Sequence, residues 1–208
     1  SSLGDAQMSY GDLSSEVGHY LQELFPLCRS LTGEGNRETL RILQDIVPLE
    51  IIEYPSGKAV YDWTIPDEWN VEDAWIKDSE GRRVIDFGEN NLHLVSYSEP
   101  VSRWMWWNEL KEKIYCLDQL PQAIPYRTSY YRRDWGFCVT KAQYDELEAL
   151  EGELDVHIDS TIDPTGSMTI GELYIPGDQT EEYLLSTYLC HPSMANDNLS
   201  GLIVTALL

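Results

Sequence analysis

Positive charge is scarce in this chain: 14 lysines and arginines, only five of them lysine, face 36 aspartates and glutamates, for a formal charge of −22. Such a field repels phosphate backbones and anionic lipid surfaces over a Debye length, which argues against nucleic acid or a charged membrane as partner. It favours cations, including metal ions and the amino terminus of a peptide, although solubility alone is a commoner reason for acidity. No apolar run is long enough to span a bilayer, and the N-terminal SSLGDAQMSYGD lacks the basic and apolar regions of a signal peptide. Met8 is a candidate start that leaves residues 1–7 as an extension. Internal repeats and low-complexity segments are absent. The four cysteines, Cys28, Cys116, Cys138 and Cys190, form no CxxC or CxxH pair and sit among apolar or aromatic neighbours, as buried free thiols do. A reducing compartment, the cytoplasm, is expected.

At 208 residues and 42% hydrophobic composition, the chain can bury one good core or two small ones. Val17, Tyr20, Leu21, Leu24 and Leu27 form a helical stripe over residues 13–30, interrupted near Pro26. A turn at 31–35 leads to a second amphipathic helix over 36–46, ending before Pro48. The segment holding Arg29, Gly35, Asn36 and Arg37 is either a capped interhelical turn or an anion site at a helix start. Residues 49–54 read as a strand that Pro55 and Gly57 end.

From about residue 60 to 139 the texture changes. All seven tryptophans fall in this stretch: Trp63, Trp69, Trp75, Trp104, Trp106, Trp107 and Trp135. Strands are predicted at 73–77 and 83–87, joined through 78–81, and at 92–97. The strip 125–138 interleaves arginines with aromatics, including Tyr130, Arg132 and Trp135. It either packs as a hairpin around 134–136 or presents guanidinium and indole faces to a sugar ring or carboxylate. A short helix follows at 141–150. Over 154–159 the alternation is strict, with Leu154, Val156 and Ile158 on one face and Asp155, His157 and Asp159 on the other. That second face has metal-ligating residue types, but any strand with one wet side gives the same pattern. Strand texture returns at 168–175. The economical description is an α/β domain at 1–57, an inserted aromatic β-rich domain at 58–150, and the α/β domain continued at 151–208.

The stretch 187–208 concentrates the chemistry. An apolar run at 183–189 reads as a buried strand that stops at His191, since Pro192 cannot continue the pairing. After a short polar loop, residues 198–201 open an apolar helix, with Asp197 or Asn198 placed to cap it. An imidazole and a carboxylate six residues apart thus flank a strand-to-helix crossover, where ligands collect in open α/β sheets. Zinc accepts both donor types. A hydrogen-bonded loop histidine beside an ordinary capping aspartate is the simpler alternative.

His191 followed by Asn196-Asp197-Asn198-Leu-Ser200-Gly201 resembles the zinc-dependent exopeptidases of the aminopeptidase Y type. The wider chain resembles a bacterial aminopeptidase-like group that carries an inserted domain of unknown function. The segments behind that likeness are Phe25-Pro-x-Cys28-Arg-Ser-Leu-Thr-Gly33, Asp62-Trp-Thr64, Asn91-Leu-His-x-Val-Ser-Tyr97, Thr128-Ser-Tyr-Tyr131, Trp135-Gly-Phe-Cys138 and Cys190-His-Pro-Ser-Met-Ala-Asn196. Together they cover nearly all of residues 20–208. The resemblance implies a zinc-exopeptidase-like mixed sheet flanked by helices, with His191 a terminal ligand of one zinc and Asp197 a carboxylate bridging two. It implies hydrolysis of an N-terminal peptide bond or small amide by a water activated between the metals. Arg132 and Trp135 are the candidate substrate contacts. Two further readings are an amidohydrolase acting on sugar-linked or amino-modified substrates, and a non-catalytic binding module on the same fold.

The likeness is incomplete in two places. Where the family has an Asp that orients the first histidine, two residues on, this chain has Ser193. The family's general-base Glu and remaining ligands lie downstream of the Asp-Asn-x-Ser-Gly sequence, whereas this sequence runs to Leu208 in an apolar helix. The expectation is therefore half of a two-metal site in a truncated chain, with weak metal affinity and no peptidase activity by itself.

Overall fold

Proline and glycine set the first elements. In the computed structural model, which describes residues 10–208, α1 (Tyr10–Leu24) stops just before Phe25 and Pro26. The Met8 start and the leader segment lie outside the described residues. α2 (Glu34–Leu43) begins after Gly33, whose φ of 104° and approach to the Trp69 carbonyl, 2.3 Å from where a Cβ would stand, leave room for no other residue. The turn before it is held by Asn36, which accepts from the Ser30 amide at 3.1 Å and donates to the Ser30 carbonyl at 2.7 Å. Arg37 is committed to carboxylates: it donates to both oxygens of Glu68 at 2.7 Å and to Glu53 at 3.0 Å. The turn is closed by Asn36, and Glu53 and Glu68 occupy the Arg37 guanidinium at the start of α2.

β1 (Glu50–Pro55) is followed by a small hairpin of β2 (Ala59–Val60) and β3 (Trp63–Thr64), then by β4 (Glu68–Lys77) and β5 (Arg83–Asp86). The β4–β5 turn is closed by Asp78, which accepts from the Glu80 and Arg82 amides at 3.1 and 2.9 Å. After β6 (Val101–Trp106), α3 (Trp107–Leu110), β7 (Ile114–Tyr115) and β8 (Phe137–Cys138) comes α4 (Lys141–Ala149), opened by a reciprocal Thr140–Gln143 capping box. β9 (Glu153–Asp163), β10 (Ser167–Glu172) and α5 (Ser200–Leu207) complete the order.

β9 is the organising strand. It lies between β4 and β6 in an antiparallel sheet of order β5-β4-β9-β6 and buries Leu154, Val156 and Ile158 to within 1% of full burial. Those residues join Ile76, Ile85, Met105, Leu110, Phe137 and Leu147 in the larger core. Sheet and core therefore run on past residue 150. Its opposite face is solvent-facing packing: His157 stacks on Trp75 at 4.0 Å, and the Trp75 indole N–H donates to Asp155 at 3.3 Å. β10 then returns to pair with β1, Ile52 opposite Ile170. A second core forms below this pair from Leu24, Leu40, Leu43, Leu199, Leu202 and Ile203. The architecture is mixed α/β, with small sheets and flanking helices.

Three sequence expectations give way. Residues 92–97 are not a strand: the Asn90 carboxamide accepts from the Leu92 amide at 3.0 Å, a single 3₁₀ turn forms over Asn91–His93, and only isolated bridges at Leu94 and Ser96 follow. No hairpin forms around 134–136 either, because Phe137–Cys138 pairs in parallel with β7. The run at 183–189 forms no strand among the described residues, and Tyr183, Leu184 and Leu185 are 99, 89 and 66% exposed. Apolar composition supplies a strand's faces but not its hydrogen-bonding neighbour.

Candidate functional site

The segments whose residues stand out in sequence, though far apart in the chain, interlock around His191. The Asn91 side chain donates to the Pro26 carbonyl at 3.1 Å and accepts from Ser193 Oγ at 2.8 Å. Ser30 and Ser96 hydroxyls meet at 2.6 Å, as do those of Thr32 and Tyr97. Ser129 Oγ donates to the Tyr97 carbonyl at 3.0 Å, and the Tyr130 hydroxyl donates to the Cys190 carbonyl at 3.3 Å. From below, Arg29 Nε donates to the His191 carbonyl at 3.2 Å. Apart from the exposed Asn91–Pro26 bond, each of these is buried or half-buried, where an unmade polar contact costs about 1–3 kcal/mol, so the network fixes one path for the loop.

That path presents His191 to Asp197. Ser193 and Met194 take φ values of 52° and 53°, turning the chain back on itself after Pro192. Residues Ala195–Leu199 make one wide turn in which Asp197 and Asn198 leave helical geometry, and the peptide bond between them is cis. Asn198 ties this turn down by donating to Thr187 Oγ1 at 2.6 Å and to the Tyr188 carbonyl at 3.0 Å. Gly201 accommodates the Asn198 side chain: a Cβ there would lie 2.3 Å from its Oδ1. His191 Nε2 then stands 3.5 Å from Asp197 Oδ1, the histidine 91% buried and the carboxylate largely exposed.

Electrostatics favour an ionised Asp197. The Tyr188 hydroxyl, which donates to Oδ1, and the neighbouring His191 hold its carboxyl below the usual range, while the same bond pushes the Tyr188 hydroxyl up. On the other side of the imidazole, Nδ1 lies 3.2 Å from the Pro192 carbonyl. A carbonyl only accepts, so that contact places a proton on Nδ1 and turns Nε2 toward Asp197. Ser193, at the position where an orienting carboxylate is expected, points instead to Asn91. A backbone carbonyl orients this histidine, which no residue type in the sequence signals. Tyr126 and Tyr188 flank the ring at 5.5 and 6.0 Å.

The other sequence candidates sit elsewhere. Arg132 is exposed and paired with Asp134 at 2.8 Å, and Trp135 packs against the larger core with the Lys113 ammonium 5.6 Å from its ring. Tyr126 and Tyr130 from the same strip are the members that reach the His191 loop. All four cysteines are unpaired, and burial pushes the thiols of Cys28 and Cys138 up to about 12, which leaves them unreactive. Among the described residues no three His, Cys, Asp or Glu side chains are close enough to share a metal, and no helix is long and apolar enough to cross a membrane. As a donor set, an imidazole nitrogen and a carboxylate suit zinc, and supply two of the three or four protein donors that a zinc site uses.

A model of the domain of unknown function DUF4910 matches residues 19–208. The chain belongs to the DUF4910 family. This DUF4910 chain is 50% identical over 190 residues to a Clostridium acetobutylicum protein described as a "putative polysaccharide biosynthesis protein with aminopeptidase-like domain"; the match covers 91% of the chain and 43% of that protein. It also superposes on a crystal structure of a "putative peptidase" from the same organism, with a TM-score of 0.90 and 48% identity over 93% of this chain and 45% of that one. The DUF4910 chain thus spans less than half the length of the relatives it matches.

Proposed function

We propose that this DUF4910 chain contributes two metal ligands, His191 and Asp197, to an aminopeptidase-like hydrolase that cleaves N-terminal peptide bonds or related small amides. The single observation carrying this is the 3.5 Å approach of His191 Nε2 to an ionised Asp197, with Nδ1 held by the Pro192 carbonyl. The name of the relative supports the reaction class. A divalent ion bound by this pair would supply an acidified water and a polarised carbonyl. The chain's own residues do the rest of the work visible here: the Pro192 carbonyl fixes the imidazole tautomer, Tyr188 keeps Asp197 ionised, and Asn198 and Gly201 hold the turn. Further ligands and a general base are proposed to come from the length that the relatives have and this chain does not span.

Calorimetric titration with zinc tests the ligand assignment. The 208-residue chain should bind weakly through a site that His191→Ala and Asp197→Ala both abolish, and a relative-length protein should bind more tightly and cleave an aminoacyl anilide. Zinc binding indifferent to both substitutions would remove the basis of the proposal.

A second reading, an amidohydrolase acting on sugar-linked amides, is favoured by one relative's description and by the aromatic wall of Tyr126 and Tyr130 beside His191. Turnover of amino-acylated sugars in preference to peptides by the relative-length protein, lost in Tyr126→Ala, would favour it.

A further inference from the structure

Arg29 is the least exposed charged residue among those described, at 1% exposure, and it lies directly beneath His191. Its guanidinium donates through Nε to the His191 carbonyl at 3.2 Å and through Nη1 to the Leu24 carbonyl at 2.5 Å. Leu24 ends α1, so the carbonyl end of that helix offsets part of the charge. Two features leave the group unbalanced. Among the described residues no carboxylate forms an ion pair with Arg29, and its Nη2 has no hydrogen-bond partner in the protein. Burial pushes the guanidinium down only to about 10, so it is charged at neutral pH.

Burying an unpaired cation costs several kcal/mol, and a neutral partner for Nη2 recovers the hydrogen bond but not the charge. Arg29 also lines a partly open cavity of about 10 Å³, shared with Tyr188, His191, Ser193 and Asn198 and bordered by leucines. That is about the space of one water-sized group. Orphaned donor, uncompensated charge and lined cavity converge on one kind of ligand.

We propose that Arg29 is an anion-holding site beneath the His191 loop, taking a halide or one oxygen of a carboxylate on Nη2. The ligand supplies a counter-charge that no described residue supplies and ties α1 to the loop 187–193 and the first turn of α5. The anion is either a free small ion or the carboxylate of an amino-acid product, both recognised by the same guanidinium edge. A free ion as ligand is independent of whether His191 and Asp197 hold metal, whereas the amino-acid source rests on the peptidase reading proposed above.

Thermal melts of the 208-residue chain at fixed ionic strength, exchanging gluconate for bromide or formate, give the first test. A saturable rise in Tm on the order of a few degrees is expected for bromide and formate, absent in Arg29→Met and reduced in Arg29→Lys. A third arm with leucine distinguishes the sources, since an Arg29-dependent rise assigns the anion to an amino-acid carboxylate and no rise assigns it to free ions. Crystals of the unaltered chain soaked in bromide should give an anomalous peak at Arg29 Nη2, which keeps the question decidable where Arg29→Met does not fold. Equal anion responses in the unaltered chain and a folded Arg29→Met, or a bromide-soaked crystal with no peak at Nη2, overturn the proposal.

Discussion

The Tyr188 hydroxyl donates to Asp197 Oδ1, the same oxygen that His191 Nε2 faces at 3.5 Å. One carboxylate oxygen thus mediates between a phenol and an imidazole, and the phenol is the larger cause of its lowered pKa. In Tyr188→Phe the Asp197 pKa should rise toward the ordinary carboxylate range while the fold is kept. Carboxyl ¹³C shifts followed through a pH titration measure this, and an unchanged Asp197 midpoint would contradict the assigned hydrogen bond.

Gly201 is the residue on which the Asp197 turn depends most directly. A methyl group there would stand 2.3 Å from Asn198 Oδ1 and push Asn198 off Thr187 and the Tyr188 carbonyl. Gly201→Ala should cost about 1–3 kcal/mol, as overpacking does, despite the better helix propensity of alanine. Chemical denaturation reads the cost, and amide shifts at 187–198 should move with it.

Below neutral pH the Arg37–Glu68 pair should dominate the loss of stability. Its hydrogen bonds to Arg37 hold the buried Glu68 carboxyl down at about 2, against a value near 4.3 in an unfolded chain. A depressed pKa gives stability that is present above the unfolded value and lost as pH falls from about 4 through 2, on the order of 3 kcal/mol in total. Urea unfolding of Glu68→Gln should show a shallower pH slope across that window than the unaltered chain. Parallel slopes would mean that other carboxylates carry the acid sensitivity.

The exposed leucines at 184 and 185 should make the 208-residue chain self-associate. With Tyr183 and Tyr188 they form a run of large apolar side chains open to solvent and without backbone pairing, the kind of surface that seeks a partner. Leu184→Lys with Leu185→Ser should lower the apparent mass by light scattering at high concentration and leave the melting temperature within about 1 °C, since neither side chain belongs to a core.

Local rules carried much of the fold. Pro26 and Pro48 bound two helices that lie where periodicity put them, and alternation over 154–158 gave the buried face of β9 without error. The aromatic strip divided in a way composition did not foretell: Tyr126 and Tyr130 reach the His191 loop, while Trp135 packs half-buried against the larger core beside Lys113 and Arg132 pairs with Asp134. Nothing at the level of residue type separates those four. Their sorting follows from which side of the 125–138 path faces the loop.

What the sequence determined by itself was the chemistry available at one place: an imidazole and a carboxylate six residues apart, a turn that needs Gly201, and an acidic surface. Tertiary structure decided what those groups meet. It set Tyr188 on Asp197, the Pro192 carbonyl on His191 and Arg29 beneath both, partners drawn from up to 162 residues away. It also left 183–189 unpaired, since a strand is completed by its neighbour and not by its own composition. Short-range spacing fixes which groups are near one another along the chain, but hydrogen-bond geometry and desolvation are properties of the packed loop.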